Sequence, residues 1–253
     1  IYDDKNPALD YDGPLLVMVN SYSASASEIF AAAIQDYGRG IIMGTPNTFG
    51  KGTVQRFFDL EAKQNNTADP GEVKLTIQKF YRINGGSTQM KGVTPDIVLP
   101  DVFGEIDRGE QEAEYPMAWS KIDAVNYTKW DRPLPVSDIA GATNKRIAGD
   151  PTFKLIQESA KRYAKMKDES LVNLNIEKYR AQQKTVKEEG KKYEKIGKDS
   201  TGLVIRLPLA DLERMKQDSS AQARSTAWQK ILAKDIYLYQ AAQVMGDIEK
   251  RVK

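Results

Sequence analysis

The chain has 253 residues, with 37 Lys and Arg against 35 Asp and Glu and neither histidine nor cysteine. That composition excludes a thiol nucleophile, a Ser-His-Asp triad and any zinc or haem site built on His or Cys, so only lysine, carboxylates or a chain terminus could activate a hydroxyl. A net charge of +2 argues against a nucleic-acid partner for the chain as a whole.

The opening, IYDDKNPALDYDGP, has no initiator Met and no signal peptide, and reads as entry in mid-protein, a mature or trimmed chain. No apolar run approaches the roughly 20 residues of a membrane span. Absence of cysteine fits an oxidising compartment. From Pro14 onward, short apolar runs rich in β-branched and aromatic residues alternate with glycine, at 15–19, 40–44, 54–58, 73–83 and 93–100, and these read as strands. Between the first two, EIFAAAIQDYG reads as a helix stopped by Gly38 or Gly40. Strand, helix, strand in that order is an α/β unit with a parallel pair. QNNTADPGE, 64–72, reads as a polar turn.

After Pro100 the sequence becomes acidic and irregular, and Pro116, Pro133 and Pro135 interrupt it, which places a boundary near residue 105. Asp150 followed by Pro151 is an N-cap with proline at the first helical position, and Phe153, Ile156, Ala160, Tyr163 and Ala164 then fall near one face. Further helices are expected over 169–195, 208–218 and 221–252. The basic excess of 154–198 reads as a solvated helical face rather than a nucleic-acid or anionic-lipid patch.

Two short stretches carry candidate chemistry. SYSASASE, 21–28, sets four serines at alternate positions at the strand-to-helix junction. Ser25-Ala-Ser-Glu28 fits the S-x-x-E capping box, in which Glu28 reaches back to the N-cap N–H. The same place suits a nucleophile, because the unpaired N–H groups of a helix start can face a developing oxyanion. Such a serine needs a base, and TFGKGTVQ offers Lys51 between two glycines that permit close backbone approach. A lysine base must be neutral, which desolvation favours. On a strand, Lys51, Thr53 and Gln55 share a face, so the Gln55 amide oxygen could orient the ammonium. Asp36 lies about 16 Å along the helix from Ser25 and reads as structural. The segment from Gly44 to Lys51 has one residue too many for a phosphate-binding loop and is followed by Gly52 rather than Ser or Thr.

Taken together, PLLVMVNSYSASASEIFAAAIQDYGRG, FGKGTVQ and VKLTIQKFYRINGGSTQMKGVTPDI resemble the carboxy-terminal processing proteases. PMAWSKIDAVNY, GDPTFKLI and DIYLYQAAQ resemble the helical extension of that family's tail-specific branch. The resemblance implies Ser25 as nucleophile, Lys51 as general base, Gln55 as its positioner and the N–H of Ala26 as an oxyanion donor. It further implies a spiral, crotonase-like α/β core without metal, nucleotide or other cofactor. The implied setting is the bacterial periplasm, with flexible C-terminal protein segments as substrates and a lipoprotein as adaptor. On this reading residues 1–105 are the C-terminal part of a Ser/Lys protease core, and 106–253 are a linker and helical extension. Two departures stand beside it. The interval from Ser25 to Lys51 is one residue longer than the family's, in TPNTFG, and the family's PDZ module and glycine-rich early core have no counterpart in the chain. A non-catalytic scaffold whose helices bind partners is the alternative.

Overall fold

The computed structural model describes residues 5–6, 8–60 and 70–251. The run after Pro14 extends as β1 (Leu16–Val19), the alanine-rich segment coils as α1 (Ala26–Asp36), and the chain returns as β2 (Ile41–Gly44). Of the two candidate stops, Gly38 ends the helix. It takes φ +66°, its N–H donates to Gln35 O, and the Arg39 N–H donates to Ile34 O, the paired bonds of a Schellman motif. Next come β3 (Thr53–Asp59), β4 (Glu72–Lys79) and the two-residue β5 (Ile97–Val98).

These strands form two sheets. β1, β2 and β5 pair in parallel with β2 central, and Leu16 stands opposite Ile41. β3 and β4 form an antiparallel hairpin from Thr53 opposite Lys79 to Asp59 opposite Glu72. Residues 64–69 of the expected polar turn lie outside the described residues. The strand expected through Ile83 ends at Lys79, and beyond it Tyr81 makes only an isolated bridge to Ser87.

Among the described residues six α-helices follow: α2 (Val136–Gly149), α3 (Pro151–Asp168), α4 (Ile176–Gly190), α5 (Leu209–Met215), α6 (Ser219–Leu232) and α7 (Ile236–Arg251). Asp150 caps α3 as its sequence demands, Oδ1 accepting the Thr152 N–H at 2.7 Å. Phe153, Ile156 and Ala160 are buried, and the face emerges into solvent at Tyr163. The helix expected over 169–195 starts only at Ile176, where Asn175 accepts from the N–H groups of Glu177 and Lys178. α4 buries no side chain, in keeping with a solvated face. The single helix expected over 221–252 is two, because Asp235 Oδ1 accepts from the N–H groups of Tyr237 and Leu238 and so starts a new one.

Both faces of the parallel sheet are covered, which is why β2 reads as an unbroken apolar run. On one face Ile42 and Val19 pack with Ala31 and Ala32 of α1. On the other, Ile41, Met43, Ile97 and Leu99 pack against Ile139, Phe153, Ile156, Val244 and Ile248 of α2, α3 and α7. The result is a mixed α/β fold in which the C-terminal helices complete the core of the N-terminal sheet.

Candidate active site

The serine turn leaves the carboxyl end of β1. Its first half is locked locally: the Ser23 N–H donates to Asn20 O, the Tyr22 N–H to Asn20 Oδ1, and the Asn20 N–H to Ser23 Oγ. Ser25 follows at the N-cap of α1 with φ +56° and ψ −112°. An L-residue with a side chain rarely adopts that conformation, and it persists only where its surroundings over-determine it. Ser25 is half-buried, Ser27 is exposed, and among the described residues the N–H of Ala26 meets no protein acceptor.

What over-determines the turn is Glu28. Its carboxylate is wholly buried in the first turn of α1. Oε2 accepts the N–H of Ser25 and the N–H of Lys51, each at 2.8 Å. Oε1 accepts the Gly50 N–H at 2.7 Å and the Thr48 hydroxyl. One acid therefore fastens the serine turn to the lysine loop. That loop does cradle an anion with successive N–H groups, as a phosphate loop would, but the anion is the protein's own.

The glycines on either side of Lys51 are held by Phe80, Gln89 and Met90. The Met90 N–H donates to Gly50 O and the Phe80 N–H to Gly52 O, while Gly52 N–H donates to Oε1 of the buried Gln89. A Cβ on Gly52 would lie 2.5 Å from Gln89 N, so glycine is required there. Lys51 is half-buried and precedes β3 rather than belonging to it. Its Nζ nevertheless reaches Gln55 Oε1 at 3.4 Å, at the point where the register of β3 shifts between Val54 and Gln55. No hydrogen bond joins Lys51 Nζ to the Ser25 hydroxyl among the described residues; what Glu28 joins is the backbone of the two residues, through their N–H groups.

Asp36 takes no part. Its carboxylate accepts two bonds from the Arg82 guanidinium, at 2.9 and 2.6 Å, and one from Asn84 at the far end of α1. The residues that sequence reasoning missed are Thr48, Gln89 and the wider role of Glu28. Only Glu28 carried a signal, an acid three residues past a capping serine, and that signal points to a local bond.

Beside the serine turn a cleft of about 300 Å³ opens over the carboxyl ends of the parallel strands, lined by Met18, Ser23, Thr45, Leu99, Asp101 and the start of α7. Burial pushes the Asp101 carboxyl up from the usual carboxylate range, against the N–H groups of Phe103 and Val102 and the charge of Arg108. Burial, then the charges of Asp101 and Asp235, push the Tyr237 phenol up as well. Its hydroxyl donates to Pro100 O at 2.8 Å.

Comparison with known proteins places the chain in a family. Residues 1–99 match Peptidase family S41, and residues 103–250 match the C-terminal domain of tail specific protease. The chain is 42% identical over 187 residues to a tail-specific protease of Haemophilus influenzae, a match covering 72% of this chain and 27% of that protein. It is 40% identical over 108 residues to a carboxy-terminal-processing protease of Bartonella bacilliformis, covering 43% and 23%. It is 38% identical over 104 residues to a chloroplastic C-terminal processing peptidase of Tetradesmus obliquus, covering 41% and 21%. The chain thus belongs to a family of peptidases, family S41, and within it to the tail-specific proteases. It spans about a quarter of the length of the curated relatives it matches.

Proposed function

We propose that the chain carries the nucleophile and the base of a Ser/Lys endopeptidase that cleaves the C-terminal regions of envelope proteins in the bacterial periplasm. The observation that carries this reading is the backbone of Ser25, strained at φ +56° directly ahead of a helix, with the Ala26 N–H beside it meeting no acceptor among the described residues. Such strain is kept where it aims a side chain.

In the proposed reaction Ser25 Oγ attacks the peptide carbonyl carbon while neutral Lys51 Nζ removes its proton, and the oxyanion that forms accepts from the Ala26 N–H. Collapse breaks the C–N bond, Lys51 returns the proton to the leaving amine, and water deacylates the enzyme with Lys51 again as base. Gln55 holds Nζ in place. Residues 1–105 would form part of a spiral, crotonase-like core and 106–253 its helical extension, and a lipoprotein would serve as adaptor. The exposed Tyr22, Ile29 and Phe30 around Ser25 suit apolar, unfolded tails as substrates.

A second reading, a non-catalytic scaffold that binds partners through its helices, draws on the exposed Leu171, Val172 and Leu174 ahead of α4. Hydrolysis of an unstructured reporter peptide by the complete protein separates the two. Ser25→Ala and Lys51→Ala should each abolish turnover, whereas Ser23→Ala and Ser27→Ala should keep most of it; an active Ser25→Ala protein would sink the Ser/Lys reading.

A further inference from the structure

We infer that the cleft beside the serine turn is a subsite for a lysine or arginine side chain of the substrate, an inference that rests on the peptidase reading. The cleft is built jointly by the two halves of the chain. The ends of β1 and β2, the first half of the serine turn and three residues between 99 and 103 line it from one half, and Asp235 and Tyr237 at the start of α7 from the other. It begins at Ser23, two residues from the proposed nucleophile.

Its chemistry is divided. Met18, Leu99, Phe103 and Tyr237 offer an apolar channel, and two carboxylates, Asp101 and Asp235, stand among the lining residues. A ligand matching both halves has an aliphatic stem and a cationic head, as lysine and arginine do. Asp235 spends Oδ1 on the first turn of α7, through the N–H groups of Tyr237 and Leu238. Its other oxygen makes no hydrogen bond among the described residues. Thr45 is an independent sign of an awaited donor: it lines this cleft and the smaller one beside it, and its Oγ1 is buried without a hydrogen-bond partner. A buried hydroxyl left in that state is costly unless a ligand or water completes it.

Charge agrees in sign. The adjoining compartment of about 100 Å³ adds Asp107 and Arg108, so the described residues lining the two hold three carboxylates against one guanidinium. That guanidinium lies against the cleft wall, 3.6 Å from the Phe103 ring centre and donating to the Tyr22 hydroxyl, and offsets one of the three negative charges. A carboxylate or phosphate ligand would face net repulsion.

The test walks lysine through the positions flanking the scissile bond of a reporter peptide and replaces it each time with norleucine, which keeps the stem and removes the charge. In the complete protein one position should show kcat/KM at least about tenfold higher for lysine, and the Asp101→Asn/Asp235→Asn protein should reduce that ratio to near one. Asparagine retains the capping oxygen at 235, and circular dichroism verifies the fold. Cleavage with no lysine preference at any position overturns the subsite and leaves the peptidase reading intact. Absence of cleavage with every peptide overturns the peptidase reading instead. In that event fluorescence anisotropy decides on the subsite: the lysine peptide should bind Ser25→Ala protein more tightly than the norleucine peptide, and equal affinities overturn the proposal.

Discussion

Ser25 and Lys51 share an acceptor: both backbone N–H groups end on Oε2 of Glu28, at 2.8 Å each. Glutamine at 28 would place an amide NH2 where one oxygen now accepts two donors, and two N–H groups would lose their partner. Glu28→Gln should therefore lower stability by about 1–3 kcal/mol. It should also cut kcat/KM by more than tenfold, because the serine turn and the lysine loop lose their common anchor. Thermal unfolding and peptide hydrolysis on the same preparation check both. Unchanged activity would mean that the two loops hold their places without the carboxylate.

Gln55 offers a pH test of the base. A negative charge placed 3.4 Å from Lys51 Nζ favours the ammonium. Gln55→Glu should shift the acid limb of kcat/KM to higher pH, whereas Gln55→Ala should lower kcat without moving the limb as far. Lys51→Arg should be inactive despite keeping its charge, since guanidinium does not give up its proton. A near-normal kcat for the arginine variant would reduce position 51 to a source of positive charge.

Two glycines should respond to alanine with opposite signs. At Gly52 the added methyl meets backbone at 2.5 Å and Ser87 Oγ at 2.7 Å, so Gly52→Ala should destabilise by about 1–3 kcal/mol and disturb Lys51. Gly141, inside α2, has nothing within 4 Å of its would-be Cβ. Gly141→Ala should stabilise by about 1 kcal/mol with activity unchanged. Denaturant melts of the two variants give the comparison.

Asp101 sets a stability trend with pH. Its carboxyl is raised in the folded chain, so between the unfolded and folded values the native state holds more protons and stability falls as pH rises. Asp101→Asn should therefore raise the thermal midpoint at pH 7, and the gain should vanish below about pH 4, where the unfolded carboxyl is protonated too. A gain that persisted in acid would point to packing rather than charge.

The parts legible in the sequence are those whose signals are local. The order β1, α1, β2 follows from apolar runs, alanines and Gly38, whereas the Lys51–Gln55 contact forms although Lys51 lies outside β3 and the register shifts between Val54 and Gln55. α2 was hidden because Pro135 reads as a breaker when it lies just outside the helix, and because Gly141, Thr143 and Gly149 are weak helix formers. The break before α7 was hidden because a lone aspartate does the capping, with no glycine or proline to mark it. Glu28 was visible as a capping acid, but three of its four donors arrive from 20 or more residues away, and no periodicity announces such a meeting.

The helices on the far side of the sheet bear on how such a chain can change through descent. Phe153 and Val244 seal a surface that Ile41 and Met43 would otherwise show to water. Removing Phe153 alone should cost about 3–5 kcal/mol, and no single deletion could take the whole extension away and leave a soluble sheet behind. A lineage that gave up these helices would first have to acquire another cover for the same strands, so the residues on that face of β2 record which cover a given protease has inherited.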